Sequence, residues 1–268
     1  MSNPIIIAGK KYFTGLNIDP THSTKLKAFS TVQAALSRQE IIDLAMDSDR
    51  VRMREFFPYS VWGKNQGGRG ACNGFAAASC LERERVKCGL DGVHLSGEFI
   101  YAHINGGRDQ GSMLDDGMDH LLKVGTCRAD LVPHEEYLLN RISQAAKEDA
   151  KRFKAFECYH LSTEIELATA LALGWTCVVA VHVGGGYQQL DQYGIRGASA
   201  GPGNHAVCIQ DVVVVNNEFC FDEVGSWANG FAYLTWQRHL KYTVGNHYFY
   251  ACRAVVDDPQ ATNPLVIQ

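Results

Sequence analysis

Six positions separate Gln66 from Cys72 in the run Asn65-Gln66-Gly67-Gly68-Arg69-Gly70-Ala71-Cys72-Asn73-Gly74-Phe75, and 133 positions after Cys72 the chain supplies His205 within Asn204-His205-Ala206-Val207. A thiol and an imidazole are the parts of a covalent nucleophilic site: the thiolate attacks a carbonyl and the imidazole moves the proton. Gly67, Gly68 and Gly70 permit a tight loop that a ligand's main chain can approach closely. From Cys72 onward the sequence is rich in alanine and then in charge, with Phe75, Ala78, Leu81 and Val86 spaced to make one buried helical stripe. Cys72 is therefore expected to open a helix, where unpaired N–H groups and the macrodipole favour the thiolate and lower the thiol pKa. Among ten histidines, His205 is singled out by its setting, an Asn-His pair opening a strand-like apolar run.

Further elements must hold these groups in place. Met113, Leu114, Met118, Leu121 and Leu122 predict a helix over 113–124 that Gly125 stops. Thr163 and Glu166 form a capping-box pattern ahead of a helix ending at Gly174, and the β-branched run 178–183 predicts a strand followed by Gly184-Gly185-Gly186. Upstream, Ile5-Ile6-Ile7 is strand-like, Asp19-Pro20 reads as a turn, and Ser37 with Glu40 predicts a capped helix near 38–46.

The segment around Cys72 resembles the papain-like cysteine peptidases, whose pattern reads Q-G-x-C-G-S/A-C-W-A-F with the oxyanion glutamine six positions before the nucleophile; the Cys-to-His spacing also agrees with the family's. The resemblance extends over about 56–253, including the Leu95-Ser96 helix start, the turn Asp109-Gln110-Gly111-Ser112 and Tyr193-Gly194-Ile195 before the histidine. It is nearer in flavour to bacterial and viral members. It implies an α+β, two-lobed fold, with a helical lobe opened by Cys72, a β-barrel-like lobe carrying His205, and the active cleft between them. It also implies peptide hydrolysis by Cys72 thiolate with His205, and an oxyanion hole from Gln66 and the Cys72 N–H, with no metal or organic cofactor.

The third catalytic position departs from the family, which carries N-S-W-G-x-x-W-G-x-x-G-Y after its histidine. Aligning Gly225 and Trp227 of Phe221-Asp222-Glu223-Val224-Gly225-Ser226-Trp227 with the first Gly and second Trp of that pattern places Asp222 at the Asn position. A Cys72-His205-Asp222 triad is expected on that alignment, with Glu223 as its alternative and Val224 in place of the aromatic residue that shields the family's Asn–His contact. Asn73 replaces an aromatic residue beside the nucleophile. Arg69 replaces a cysteine that forms a disulfide in secreted members; it reads as a thiolate-favouring cation, an anion anchor or an exposed loop charge. These departures leave two other functions open: a catalytically weak or inactive papain-fold subunit of a large assembly such as a viral particle, and a Cys-His-Asp acyltransferase or amidase.

Composition sets the remaining bounds. A chain of 268 residues with 46% hydrophobic content can bury a full core, and a net charge of −4 gives no nucleic-acid footprint. No stretch of 18 apolar residues occurs, and the first residues lack the order of a signal peptide, so a soluble cytoplasmic protein, or one incorporated in a virion assembled there, is expected. Nine cysteines, with no C-x-x-C pair, read as reduced thiols. Residues 1–55 form an extension shorter than most family propeptides, 56–255 the papain-like domain, and 256–268 an extended tail. Both ends are expected to pack on the domain, the first across its cleft, or to reach a neighbouring subunit of a multi-copy assembly. The expected partner of the site is a peptide or protein substrate, with neither nucleic acid nor membrane.

Overall fold

The computed structural model describes residues 4–7, 10–17, 19, 21, 23–228, 230–243, 249–256 and 265–266. The chain opens with a hairpin of β1 (Pro4–Ile7) and β2 (Lys10–Phe13), then β3 (Lys27–Ala28), α1 (Arg38–Met46), α2 (Met53–Phe56) and α3 (Tyr59–Trp62). A helical stretch follows, with α4 (Cys72–Lys87), α5 (Gly97–Ile104), α6 (Leu114–Lys123) and α7 (Gln144–Ala150). Then come β4 (Lys154–Leu161), α8 (Glu164–Ala172), β5 (Thr176–Val181), β6 (His205–Val215), β7 (Glu218–Val224), β8 (Phe231–Thr235), β9 (Phe249–Val256) and β10 (Leu265–Val266). This is the α+β, two-lobed arrangement expected.

One sheet runs in the order β3-β4-β9-β5-β6-β7-β8, with β10 added to β9. Its pairs are antiparallel except β3 with β4. The apolar runs 177–181 of β5 and 206–209 of β6 are explained by burial on both sides, as a sheet covered on two faces requires. Cys177, Val179, Val181, Val207 and Ile209 enter a core with Phe29, Ile41, Ala45 and the α8 side chains Leu167 and Leu171. Their alternates Val178, Ala180, Ala206 and Cys208 enter a second core with α4 and α6, through Ala77, Leu81, Leu114 and Met118.

Helix α4 is buried along most of its length, including its charged half. A buried charge is costly unless partnered, and partners are present: Lys64 Nζ lies 2.5 Å from Glu82, and Arg83 Nε donates to Gln210 at 2.7 Å while its guanidinium covers Phe57. The predicted helix near 38–46 is α1, with the Ser37/Glu40 capping box formed in both directions. Its chain continues into Arg50, whose guanidinium bonds Asp211 at 2.6 Å and the last carbonyls of α8 at 2.7 Å, so the stretch before α2 is pinned to the sheet. Of the C-terminal tail, Leu265 and Val266 pair with β9; residues 257–264, like Pro20 of the expected turn, lie outside the described residues.

Candidate active site

Cys72 is the first residue of α4 and has no solvent exposure. Backbone hydrogen bonds from Ala206, Gly15 and Asn73 reach its sulfur, which sets the thiol beside the residue that follows His205 in β6. Burial nevertheless dominates and pushes the thiol up to about 11. The lowered pKa expected from the helix N-terminus is thus not the condition of this site. Gly15 lies against the sulfur, water is excluded, and a dry thiol resists ionisation more than the helix end favours it.

His205 is also buried, and the indole of Trp227 stacks on its ring with centroids 3.9 Å apart and planes at 19°. Neither ring nitrogen has a hydrogen-bond partner among the described residues. Burial, and secondarily the charge of Arg196, push the imidazole down to about 3, so it is neutral at neutral pH. The fold brings Cys72 and His205 into one neighbourhood as thiol and neutral imidazole, with no hydrogen bond between them.

Asp222 is not with them. Its carboxylate is held by Arg54 Nε at 2.7 and 2.8 Å and by Gln210 Nε2 at 3.1 Å. The reason is strand geometry. Asp222 opposes Asp211, six positions along β6 from His205, which is about 20 Å at the usual rise per residue. Its partner Gln210 follows Ala206 and Cys208 on the α4 side, whereas His205 precedes Val207 and Ile209 on the other. Glu223 fares no better as the alternative: it opposes Ile209 and is taken by the buried guanidinium of Arg196 and by Tyr187 Oη at 2.9 Å. The aromatic cover expected near 224 is instead Trp227. Ser226-Trp227 therefore fits the Ser-Trp of the family pattern, and the Asn position falls on Gly225, which has no side chain to offer His205.

Gln66 lies in the loop before α4 with its amide oriented from both ends. Its Oε1 accepts from Ser226 Oγ at 2.5 Å, and its Nε2 donates to Arg69 O at 2.7 Å and to Phe13 O at 2.9 Å. The same Phe13 carbonyl accepts from Trp227 Nε1 at 3.1 Å. Residues 13–17 thus lie across the site as a peptide. Ser112 N donates to Gly15 O at 2.8 Å, Asn17 N to Ser112 O at 2.9 Å, and Leu16 N to Asn204 O at 3.4 Å, with Leu16 paired parallel to Ser112. Leu16 is buried in the core that contains Cys72, Leu114 and Ala206. Gly15 is tightly enclosed: a Cβ there would stand 1.7 Å from Gly70 O. Asn73 is built into the same wall, donating to Ser112 Oγ at 3.0 Å and Met113 O at 2.6 Å. Sequence reasoning offered packing across the cleft as one place for residues 1–55 but did not single out Phe13-Thr14-Gly15-Leu16-Asn17, and it missed the roles of Ser226 and Asn73. The Ser-Trp dipeptide was a usable signal for Ser226; the others depend on long-range contacts.

All nine cysteines are free, and among the described residues no group of three ligating side chains could hold a metal. No protein-family model matches the chain, and no curated protein matches it in sequence. Solved structures do match. Xylellain, a cysteine protease from Xylella fastidiosa, superposes with a TM-score of 0.61 at 19% identity over 89% of this chain and 95% of its own. ProCathepsin B S9 from Trypanosoma congolense gives 0.60 at 14% identity, over 89% and 85%. Digestive procathepsin L 3 of the Tenebrio molitor larval midgut gives 0.58 at 15%, over 81% and 79%. With these likenesses added to a buried cysteine at a helix N-terminus, an indole-covered histidine opening a strand and a glutamine fixed in the loop before that helix, the chain has the fold of the papain-like cysteine proteases.

Proposed function

We propose that this protein is a cysteine peptidase, with Cys72 as nucleophile, His205 as its proton-transfer partner, and Gln66 Nε2 with the Cys72 N–H as oxyanion donors. The observation that carries the reading is the seat of residues 13–17. A backbone is held across the thiol by hydrogen bonds to Ser112, Asn204, Gln66 and Trp227, and an apolar side chain is sunk beside it. A site that grips main chain in this way is suited to peptides. The parallel pairing with Ser112 and the absence of a Cys72–His205 hydrogen bond support the view that the segment fills the cleft without being cut.

Once the segment leaves, water returns, the helix N-terminus favours the thiolate, and the Cys72 proton passes to His205. The sulfur bonds to the scissile carbonyl carbon, and its oxygen, now anionic, takes hydrogen bonds from Gln66 and the Cys72 N–H. The C–N bond breaks as the imidazolium protonates the leaving amine, and water, deprotonated by His205, then hydrolyses the thioester. Trp227 and burial orient the imidazole in the absence of a side chain at Gly225. The test is alkylation by a thiol-directed epoxide, with peptide hydrolysis measured in parallel, on chains from which residues 13–17 have been displaced. Labelling and turnover should both vanish in Cys72→Ala, and turnover should fall sharply in His205→Ala. Labelling that persists in Cys72→Ala, or turnover indifferent to His205, would sink the assignment.

A further inference from the structure

Arg69 stands where secreted members of the papain-like family carry a disulfide cysteine. Here its guanidinium spans two carboxylates, Asp109 at 3.6 Å and Glu135 at 3.9 Å, and lies over the Tyr137 ring at 4.7 Å. It is therefore not the free loop charge that its sequence setting allowed. Each carboxylate also holds one backbone N–H of the loop carrying Gln66: Gly68 donates to Glu135 Oε1 at 2.6 Å and Gly70 to Asp109 Oδ1 at 2.9 Å. Asp109 Oδ1 accepts from Tyr101 Oη at 2.8 Å, and that hydroxyl accepts from Gly111 N at 3.1 Å, one residue before the peptide-binding Ser112. Glu135 takes φ of 62°, a conformation costly for a residue with a side chain, and its Oε1 is so close to Gly67 that a Cβ there would stand 1.9 Å away. The carbonyl of Arg69 itself is the acceptor for Gln66 Nε2.

We propose that Asp109 and Glu135, bridged by Arg69, are positioning residues: an ionic staple that fixes the 66–70 loop so that the Gln66 amide sits at the oxyanion and, through Tyr101 and Gly111, is kept in register with Ser112. The oxyanion part rests on the peptidase reading; the staple itself does not. Binding donors before the reaction spares the reorganisation that a mobile loop would require, which is why a group touching neither substrate nor thiol alters the chemistry.

Two measurements on the full-length chain test this. Amide exchange at Gly68 and Gly70 should quicken by at least about tenfold in Glu135→Ala and Asp109→Ala respectively, as expected for lost hydrogen bonds to charged groups. Asp109→Asn, which retains an acceptor at Oδ1, should restore protection at Gly70. In a Gly15→Ala background that opens the cleft, Asp109→Ala should weaken binding of a peptide aldehyde, whose adduct oxygen needs the oxyanion donors, by about tenfold or more. The iodoacetamide alkylation rate of Cys72 should stay within about twofold, because alkylation makes no such demand. Unchanged exchange at both glycines overturns the staple, and parallel loss of aldehyde binding and alkylation overturns the positioning role. If Cys72 in Gly15→Ala resists alkylation altogether, the peptidase reading fails and the exchange rates alone decide the staple.

Discussion

Trp227 lies flat on His205, with ring centroids 3.9 Å apart, and its indole N–H donates to the carbonyl of Phe13 at 3.1 Å. A single side chain thus covers the candidate base and fastens the segment that fills the cleft. Trp227→Phe should keep a ring over the imidazole and lose the hydrogen bond, loosening the segment by about 1 kcal/mol. The measurable result is Cys72 alkylation about fivefold faster in the full-length chain.

Gly15 admits no side chain where it stands, because Gly70 O occupies the space a Cβ would take. Gly15→Ala should therefore unseat residues 13–17, withdrawing Leu16 from the edge of the core around Cys72, while the rest of that core and the core around β5, β6 and α8 remain. We expect alkylation of Cys72 to rise by at least about tenfold, with the thermal transition of the domain lowered by several degrees, as for the loss of one buried leucine and a few hydrogen bonds from an otherwise intact core. Accelerated labelling accompanied by collapse of the whole transition would count against a local seat.

Acid should open the cleft, and the sign follows from His205. Its pKa in the closed state is about 3, below the ordinary value of about 6.5, so an open state binds a proton that the closed state refuses. The closed state is at full stability above about 6.5 and loses it as pH falls toward 3. Protection of the Asn17 amide against exchange, corrected for intrinsic rates, should decline across that window in the native chain and stay flatter in His205→Gln. His120, buried beside His103 and also pushed down to about 3, adds a loss of stability in the helical lobe over the same range.

Asp222 holds Arg54 and Gln210, not the imidazole. Asp222→Asn should lower stability by about 1–3 kcal/mol through loss of a charged hydrogen bond, seen as a shifted denaturation midpoint. Turnover per folded molecule in the Gly15→Ala background should change by less than about threefold, whereas loss of a true imidazole-orienting acid costs roughly four orders of magnitude.

Much of this site is written locally. The Cys72 helix, the Ser37/Glu40 cap, the helix before Gly125 and the strand opening at His205 all follow from short-range pattern, capping and periodicity. The Gln66 and Cys72 spacing is carried on one continuous loop and helix, so it survives translation into three dimensions. The Asp222 expectation failed because strand residues alternate between faces. A side chain in the right stretch of sequence can face the wrong core, and a bulge between Ile209 and Asp211 shifts the pairing further.

The thiol's pKa departs from the helix-end expectation for a related reason: helix position is legible in sequence, whereas dryness is not. Water is kept from Cys72 by Gly15, which lies 57 positions away in the chain. The amino-acid sequence alone determined the fold class and the helix that begins at Cys72, and it offered a sulfur, an imidazole and an amide as candidate site groups. Only the tertiary structure decided which residues surround them, namely Trp227 on His205, Glu135 and Asp109 on the glutamine loop, and residues 13–17 in the groove, because such contacts arise from packing between distant segments, and local pattern carries no record of them.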